Sequence, residues 1–570
     1  MKNFFFYSDV VSKLKSSDEI LLSEVRIALS RSDWITAIRL LNDLSKKTPT
    51  DSRIWFNLGL CCLKLNSKER SSAFFQKSLI CCPNKSNAWL EWRIFGKLSA
   101  CDRAIKCAPN WPLAWQALGE FHHYRKMAVT ANLAFRRSLI LSPANSDGWF
   151  DLSQSNPRGS LKTRMNSLMR SVLTDRAPAR AYEHLAALMQ ENGNAEISVS
   201  FYRKAISILP INADSYTNFA AALFEMGALD KALGSIKKAL ILDQDLTRAR
   251  WIRSWIFLST GDLTLGFKEF DYRWHPSNAA SRQHLFRAPQ WSGGKLDGPL
   301  LIWGETGLGD EILFSGLVDE AATRCGQKVI LECDSRLVSL FTRAFPTAAV
   351  VGRQTPPAEA LFALPPAAQC SSLRLPLFLR REWTDFPHRL RYISATPRRR
   401  KAAWRRLKEV VGGLRVGLAW NSANARTGRR KSLPLAAFRP LIERCTEINF
   451  ISLQYGDDGQ EIAALRKTGL TNLYANPYPD LISDLDDLAA QIACLDGVVT
   501  ISGINAHMAG ALGRPAVVLM QRDPLWFWFR SGNVSPWYPS LRLLREDPAG
   551  GFASALEEAP AALRAALGRD

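Results

Sequence analysis

The sequence predicts an all-α superhelix of stacked helical hairpins followed by an α/β half made of two Rossmann-like, doubly wound parallel lobes. Three observations predict it. Large apolar residues recur with a 34-residue period between positions 21 and 251. The apolar run 299–303 passes through a glycine-rich turn into a helix, and further apolar runs alternate with helical stretches as far as residue 520. At 570 residues, 47% hydrophobic and 22% charged, the chain can bury several cores of ordinary globular composition. The expected boundaries are 1–275 for the array, 276–298 for a connection, 299–397 for a first lobe and 398–570 for a second.

The array is marked by Leu21, Trp55, Trp89, Trp115, Trp149, Tyr182 and Tyr216, with Arg250 and Trp251 closing the series. Most steps are 34 residues; the step from 89 to 115 is eight short. Within each period the same offsets return. Small residues (Gly59, Gly119, Ala186, Ala220) let one helix approach its neighbour, and aromatics such as Phe75, Phe135 and Tyr202 fill the space beside them. Gly193 and Gly227 turn the chain between helices, and Pro143 and Pro210 end the second helix. One hairpin cannot bury its apolar face alone, so such units stack. The marker aromatics are read as packing residues, and the units near Trp89 and 153–170 as degenerate. The pattern resembles the tetratricopeptide repeat, whose stacked hairpins imply a surface for a protein partner.

Bulk properties narrow the function. A formal net charge of +21 favours anionic partners without choosing among nucleotides, nucleic acid, lipid or acidic protein. The Phe4-Phe5-Phe6 triplet is broken by Asp9, Lys13 and Lys15, and no apolar run reaches the ~20 residues of a membrane span. A cytoplasmic location is expected. Eleven cysteines show no paired CxxC knuckles and read as reduced packing thiols. Seven scattered histidines form no metal motif. The acidic run at 484–487 reads as a helix with its acidic face in water.

The second half opens with a strand at 299–303 (PLLIW), the turn 304–310 (GETGLGD) and a helix from Glu311: the start of a mononucleotide-binding unit. Strands are expected at 328–333 (KVILEC) and 348–351. Residues 373–406 then carry Arg380, Arg381, Arg389, Arg391 and the run 398–401 between prolines, and read as a solvated link into a helix near 401–410. The alternative is a nucleic-acid patch interleaved with Trp383 and Tyr392. Strands follow at 415–420 (RVGLAW), 449–454 (NFISLQ), 498–503 and 515–520 (PAVVLM), the last one expected. The aromatics of 526–529 and 536–539 read as core or as a contact between lobes, with a sugar or base platform as the alternative.

The segments 301–310 (LIWGETGLGD), 416–420 (VGLAW), 430–434 (RKSLP), 451–454 (ISLQ) and 507–515 (HMAGALGRP) resemble the heptosyltransferase-like glycosyltransferases of family 9, two-lobed enzymes of the GT-B fold. The likeness covers about two-fifths of the chain. Paired with tetratricopeptide repeats, it forms a bacterial architecture implicated in glycosylating flagellin and other surface proteins. The resemblance implies a metal-independent transferase with no cofactor beyond a nucleotide-sugar co-substrate. Asp310 matches the general base on the acceptor hydroxyl, and Gly307 and Gly309 form the acceptor-side turn. Donor contacts are implied at Trp420, Asn421, Lys431, Gln454, Ser502, Gly503, Asn505 and His507. Asp310 has a structural alternative as a helix cap, and Lys431 as a surface lysine. Ser502 and Gly503 depart from the acidic residue and threonine usual in the family, which implies either a changed donor or a lost activity. A non-catalytic repeat scaffold is the alternative to the enzyme. The nucleic-acid reading is weakest, because the basic residues are spread through helices rather than gathered in a motif.

Overall fold

The computed structural model describes residues 16–82, 98–155, 159–174, 177–275, 286–361, 363, 365–386, 391–422, 424, 428–456, 458–477, 482–547 and 550–568. The readings placed on residues 4–15, Trp89, Arg389 and residues 276–285 of the connection lie outside the described residues. Two compact units emerge: 1–192 with 200–210, and 193–199 with 211–570. Repeat helices continue to Leu263–Phe270, so the second unit contains the last repeats together with the α/β half.

Helical hairpins recur through the first unit, among them Ser52–Lys64 with Lys68–Cys81 and Pro112–Tyr124 with Ala128–Leu141. The expected close approaches are present. A Cβ on Gly59 would lie 2.7 Å from the Phe75 ring, and one on Gly119 would lie 2.5 Å from that of Phe135. Serine hydroxyls tie the hairpins: Ser71 donates to the Gly59 carbonyl at 2.8 Å, and Ser138 to that of Pro112 at 2.8 Å. The marker tryptophans do more than pack. The indole N–H groups of Trp55, Trp115 and Trp149 each donate to the carbonyl of a proline six residues earlier, at 2.7, 2.8 and 2.8 Å. Each thereby pins its helix to the turn that precedes it. At the inter-helix turn Gly193, Gly227 and Gly261 have positive φ, but Ser32, Asn66 and Lys126 hold the same position without glycine.

Among the described residues the α/β half has two sheets, and the strand pairs within them are parallel. In the first, β1 (Leu300–Trp303), β2 (Val329–Cys333), β3 (Ala349–Gly352) and β4 (Ala368–Ser371) run in the order β3-β2-β1-β4. In the second, β5 (Leu414–Ala419), β6 (Ile448–Ser452), β7 (Leu473–Tyr474), β8 (Gly497–Ile501), β9 (Ala516–Met520) and β10 (Leu541–Arg545) run β10-β9-β8-β5-β6-β7. The chain reverses its direction of winding between β1 and β4 in one sheet and between β5 and β8 in the other. Crevices of this kind, at strand C-terminal ends, are where open parallel sheets bind ligands.

Several sequence expectations need correction. The run at 515–520 is not the last strand, because β10 follows it; its LRLLR pattern lacks the continuous apolar character of a doubly covered strand. Strand β4 (AQCS) is hidden by Gln369, a buried amide that accepts from the Trp303 indole at 2.9 Å and donates to the Phe286 and Ala288 carbonyls. Arg380 is not solvated: it is buried and paired with both carboxylate oxygens of Glu320 at 2.7 Å. The acidic run at 484–487 does not face water alone. Asp484 caps the Leu485–Ala493 helix, Asp484 and Asp487 pair with Arg399, and buried Asp486 pairs with Arg343. Of the cysteines expected to pack, Cys107 is exposed and Cys81 and Cys82 are partly so. Burial pushes the Cys61 thiol up to about 12, the environment of an inert packing group.

Among the described residues no helix is long and apolar enough to cross a membrane.

The aromatic run at 526–529 is the hub of the second unit's core. Trp526 lies 5.6 and 5.8 Å, ring centre to ring centre, from Phe267 and Phe270 of the last repeat helix, and 5.9 Å from Phe314 of the helix after β1. Trp526 to Phe529 are all buried, so they serve as packing contacts between elements.

Candidate functional site

The first turn of the site follows β1. Gly307 caps the helix Leu308–Ser315, so Asp310 is the third helical residue rather than the end of the turn. Its carboxylate accepts from the Thr306 hydroxyl and the Gly307 N–H just ahead of it, but the N-cap is Gly307, so Asp310 does not hold the cap position that the structural alternative supposes. Burial nevertheless dominates and raises Asp310 above the usual carboxylate range. Glu305 pushes the same way, whereas the two hydrogen bonds and the Lys431 ammonium oppose it. A carboxylate lifted in this way is a better proton acceptor than an exposed one.

Opposite this turn stand the loops at the C-terminal ends of β5 and β8. Lys431 ends the short helix Gly428–Lys431 and is partly buried; its Nζ donates to the Ser502 carbonyl at 2.8 Å. Burial lowers its pKa and Asp310 opposes that shift. Here the surface-lysine alternative fails. Gly503 caps the Ile504–Ala511 helix, whose first turn carries Asn505 and whose second begins near His507. His507 is buried, and a Cβ on Gly309 would sit 2.7 Å from its ring. Desolvation and the Lys431 charge lower His507 to about 3, so it is neutral near pH 7. Its Nδ1 lies 3.1 Å from the Tyr538 hydroxyl. Gly309, Asp310, Lys431, Ser502 and His507 therefore converge where the two switch points face each other.

The other predicted donor residues brace loops. Gln454 is buried; its Oε1 accepts from the Asn421 N–H at 2.9 Å and the Trp420 N–H at 3.3 Å. The Trp420 indole donates to Glu461 at 3.1 Å, and only Asn421 of this group is exposed. The Asn505 amide donates to the Leu453 carbonyl at 3.3 Å, and the Ser502 hydroxyl to Gln521 Oε1 at 2.6 Å. Gly307 is exposed, with open space where a Cβ would stand.

Tyr538 and Tyr392 were named in the sequence only as aromatics of their segments, and their places beside the site were not foreseen. Tyr392 donates to the Ile312 carbonyl at 2.8 Å, and Tyr538 closes over Gly510 beside His507. Separations of 31 residues (Tyr538 to His507) and 80 (Tyr392 to Ile312) leave no local signal. Glu305, in the first turn, is held by Arg273 at 3.0 Å and by the Trp274 indole at 2.9 Å, both from the single-turn helix Asp271–Trp274 that ends the repeats.

A tetratricopeptide repeat model matches residues 52–79, the hairpin of Ser52–Lys64 and Lys68–Cys81. Protein FlbA of Caulobacter vibrioides is 29% identical over 399 residues, covering 67% of this chain and 66% of that protein. The chain thus spans just under two-thirds of this relative's length. Among solved structures, the Cut9–Hcn1 hetero-tetramer of the APC/C is 16% identical, covering 43% of this chain and 57% of that one, with a TM-score of 0.33. Yeast Tom70 is 13% identical, covering 47% and 62%, with a TM-score of 0.34. Residues 52–79 thus carry a tetratricopeptide repeat, within a helical array of that type that is followed by a parallel-sheet α/β half.

Proposed function

We propose that the α/β half is a metal-independent GT-B-type glycosyltransferase that moves a sugar from a nucleotide donor to an acceptor, and that the repeats hold a protein acceptor such as flagellin. The observation that carries this reading is that Gly309, next to Asp310, packs against the His507 ring while Lys431 bonds the Ser502 carbonyl, which brings the turns after β1, β5 and β8 together. In this reaction the Asp310 carboxylate takes the proton of an acceptor hydroxyl as its oxygen attacks the anomeric carbon. The bond from that carbon to the diphosphate breaks, and the diphosphate leaves with the electron pair. Lys431 and the N-terminus of the Ile504–Ala511 helix face that developing charge. Neutral His507 can donate a hydrogen bond without competing for the proton.

A binding scaffold is the second reading. It is favoured by Gln454, Ser502 and Asn505, whose polar atoms are engaged with protein partners. One experiment separates the two: thermal shift of the full chain with nucleotide sugars at millimolar concentration, followed by a transfer assay on Asp310→Asn. The enzyme reading expects a donor-dependent shift in both proteins and transfer reduced about 10²–10⁴-fold in the variant. Absence of any shift favours the scaffold, and full transfer by Asp310→Asn removes the base assignment.

A further inference from the structure

Lys431 sits beside an arginine that reaches out of the α/β half altogether. Arg430 pairs with Asp523, in the loop after β9, at 3.0 Å, and with Glu225 at 3.2 Å. Glu225 is the last residue of the repeat helix Ala213–Glu225, which belongs to the same compact unit as the sheets. The end of that helix is engaged twice more. Arg522 donates to the Met226 carbonyl at 2.7 Å, and Arg530 to the Phe224 carbonyl at 2.7 Å. The Arg530 guanidinium also lies 4.2 Å from the centre of the Phe224 ring. Carbonyls at a helix C-terminus carry partial negative charge and lack helical partners, so three guanidiniums grouped there form a complementary clamp. Its backbone is constrained as well. Phe529 holds φ +52° with ψ 164°, a region that side chains rarely adopt, while Arg530 N–H donates to the Ser259 carbonyl of another repeat helix at 2.9 Å.

We propose that Glu225 is a positioning residue for the proposed donor site: through Arg430 it fixes the Gly428–Lys431 turn and so the placement of the Lys431 ammonium. This rests on the reading of Lys431 as a diphosphate contact, but the positioning itself can be tested without any ligand. The turn's backbone is reported by two amides, Ser432 N–H donating to the Gly428 carbonyl and Leu433 N–H to that of Trp420, both at 2.9 Å. Repeat helix and donor turn are then one mechanical element, joined by an ion pair between residues 205 positions apart in the chain.

The test measures hydrogen exchange at Ser432 and Leu433, and inorganic pyrophosphate binding by calorimetry, on the full-length chain. Glu225→Gln and Asp523→Asn each remove one carboxylate from the same guanidinium, and Glu225→Asp keeps the charge. Glu225→Gln should speed exchange at the two amides at least 3-fold and weaken pyrophosphate 3- to 10-fold. Asp523→Asn should act in the same direction, and Glu225→Asp should recover most of both effects. Unchanged exchange in Glu225→Gln overturns the proposal, as does Glu225→Asp behaving like Glu225→Gln. A wild-type chain that ignores pyrophosphate while Glu225→Gln still speeds exchange removes the donor-site reading and leaves the positioning role standing.

Discussion

The first repeats and the α/β half solve the same packing problem over very different chain distances. In the hairpins, the ties join residues close in sequence: Ser71 to Gly59, Ser138 to Pro112, Trp55 to Pro49. In the second unit, Lys431 reaches Ser502, 71 positions on, and Arg530 reaches Phe224, 306 positions back. A repeat's stability is therefore set mostly by its own sequence and its neighbour's. The α/β half depends on a few hubs that join distant elements, and the last repeats behave as part of it.

The sharpest way to break that contrast is at Trp526. Trp526→Ala should cost about 3–5 kcal/mol and loosen the Leu263–Phe270 helix and both sheets together. Residues 52–82 and 98–141 should keep their hydrogen-exchange protection. Protection lost equally in both regions would mean that the hub is not confined to the second unit.

Gly119→Val probes the local side. Its Cβ would meet the Phe135 ring at 2.5 Å, and overpacking of this kind costs about 1–3 kcal/mol. Denaturation followed by exchange should show the loss confined to the Pro112–Tyr124 and Ala128–Leu141 hairpin and its neighbours, with the sheets unaffected.

His507 sharpens the contrast through pH. Its folded pKa of about 3 lies below the unfolded value of 6.5, so the unfolded chain takes up a proton that the folded chain refuses. That contribution to stability is complete above pH 6.5 and is lost as pH falls towards 3, by about 1.4 kcal/mol per pH unit. Lys431 adds to the depression. His507→Gln should flatten this slope for the second unit between pH 6 and 4, whatever its effect at neutral pH. An unaltered slope would place the acid sensitivity elsewhere.

The same difference in chain distance decides what the sequence made legible. Gly59 and Phe75, or Gly119 and Phe135, lie 16 residues apart and repeat, so period and small-large pairing expose them. Strands β1, β5, β8 and β9 are covered on both faces and stand out as apolar runs. β4 and β10 do not, because Gln369 turns its amide inward and the arginines of 541–545 interrupt the pattern. At the site, Asp310, Lys431 and His507 were found through motif resemblance. Their convergence, and the roles of Tyr538, Arg430 and Glu225, depend on contacts that leave no spacing to read. Trp420 and Gln454 show the converse: they belong to the motifs, yet they hold loops rather than present themselves to a ligand.

The proposed function requires the turns after β1, β5 and β8 to share one site for a diphosphate-linked sugar. The most direct measurement is calorimetric titration of the full chain, and of Lys431→Ala, with a panel of nucleoside diphosphates. At least one should bind the wild type, and Lys431→Ala should weaken it about tenfold, a loss of roughly 1.4 kcal/mol. Binding by none of them, or binding that Lys431→Ala leaves intact, would contradict the proposed function.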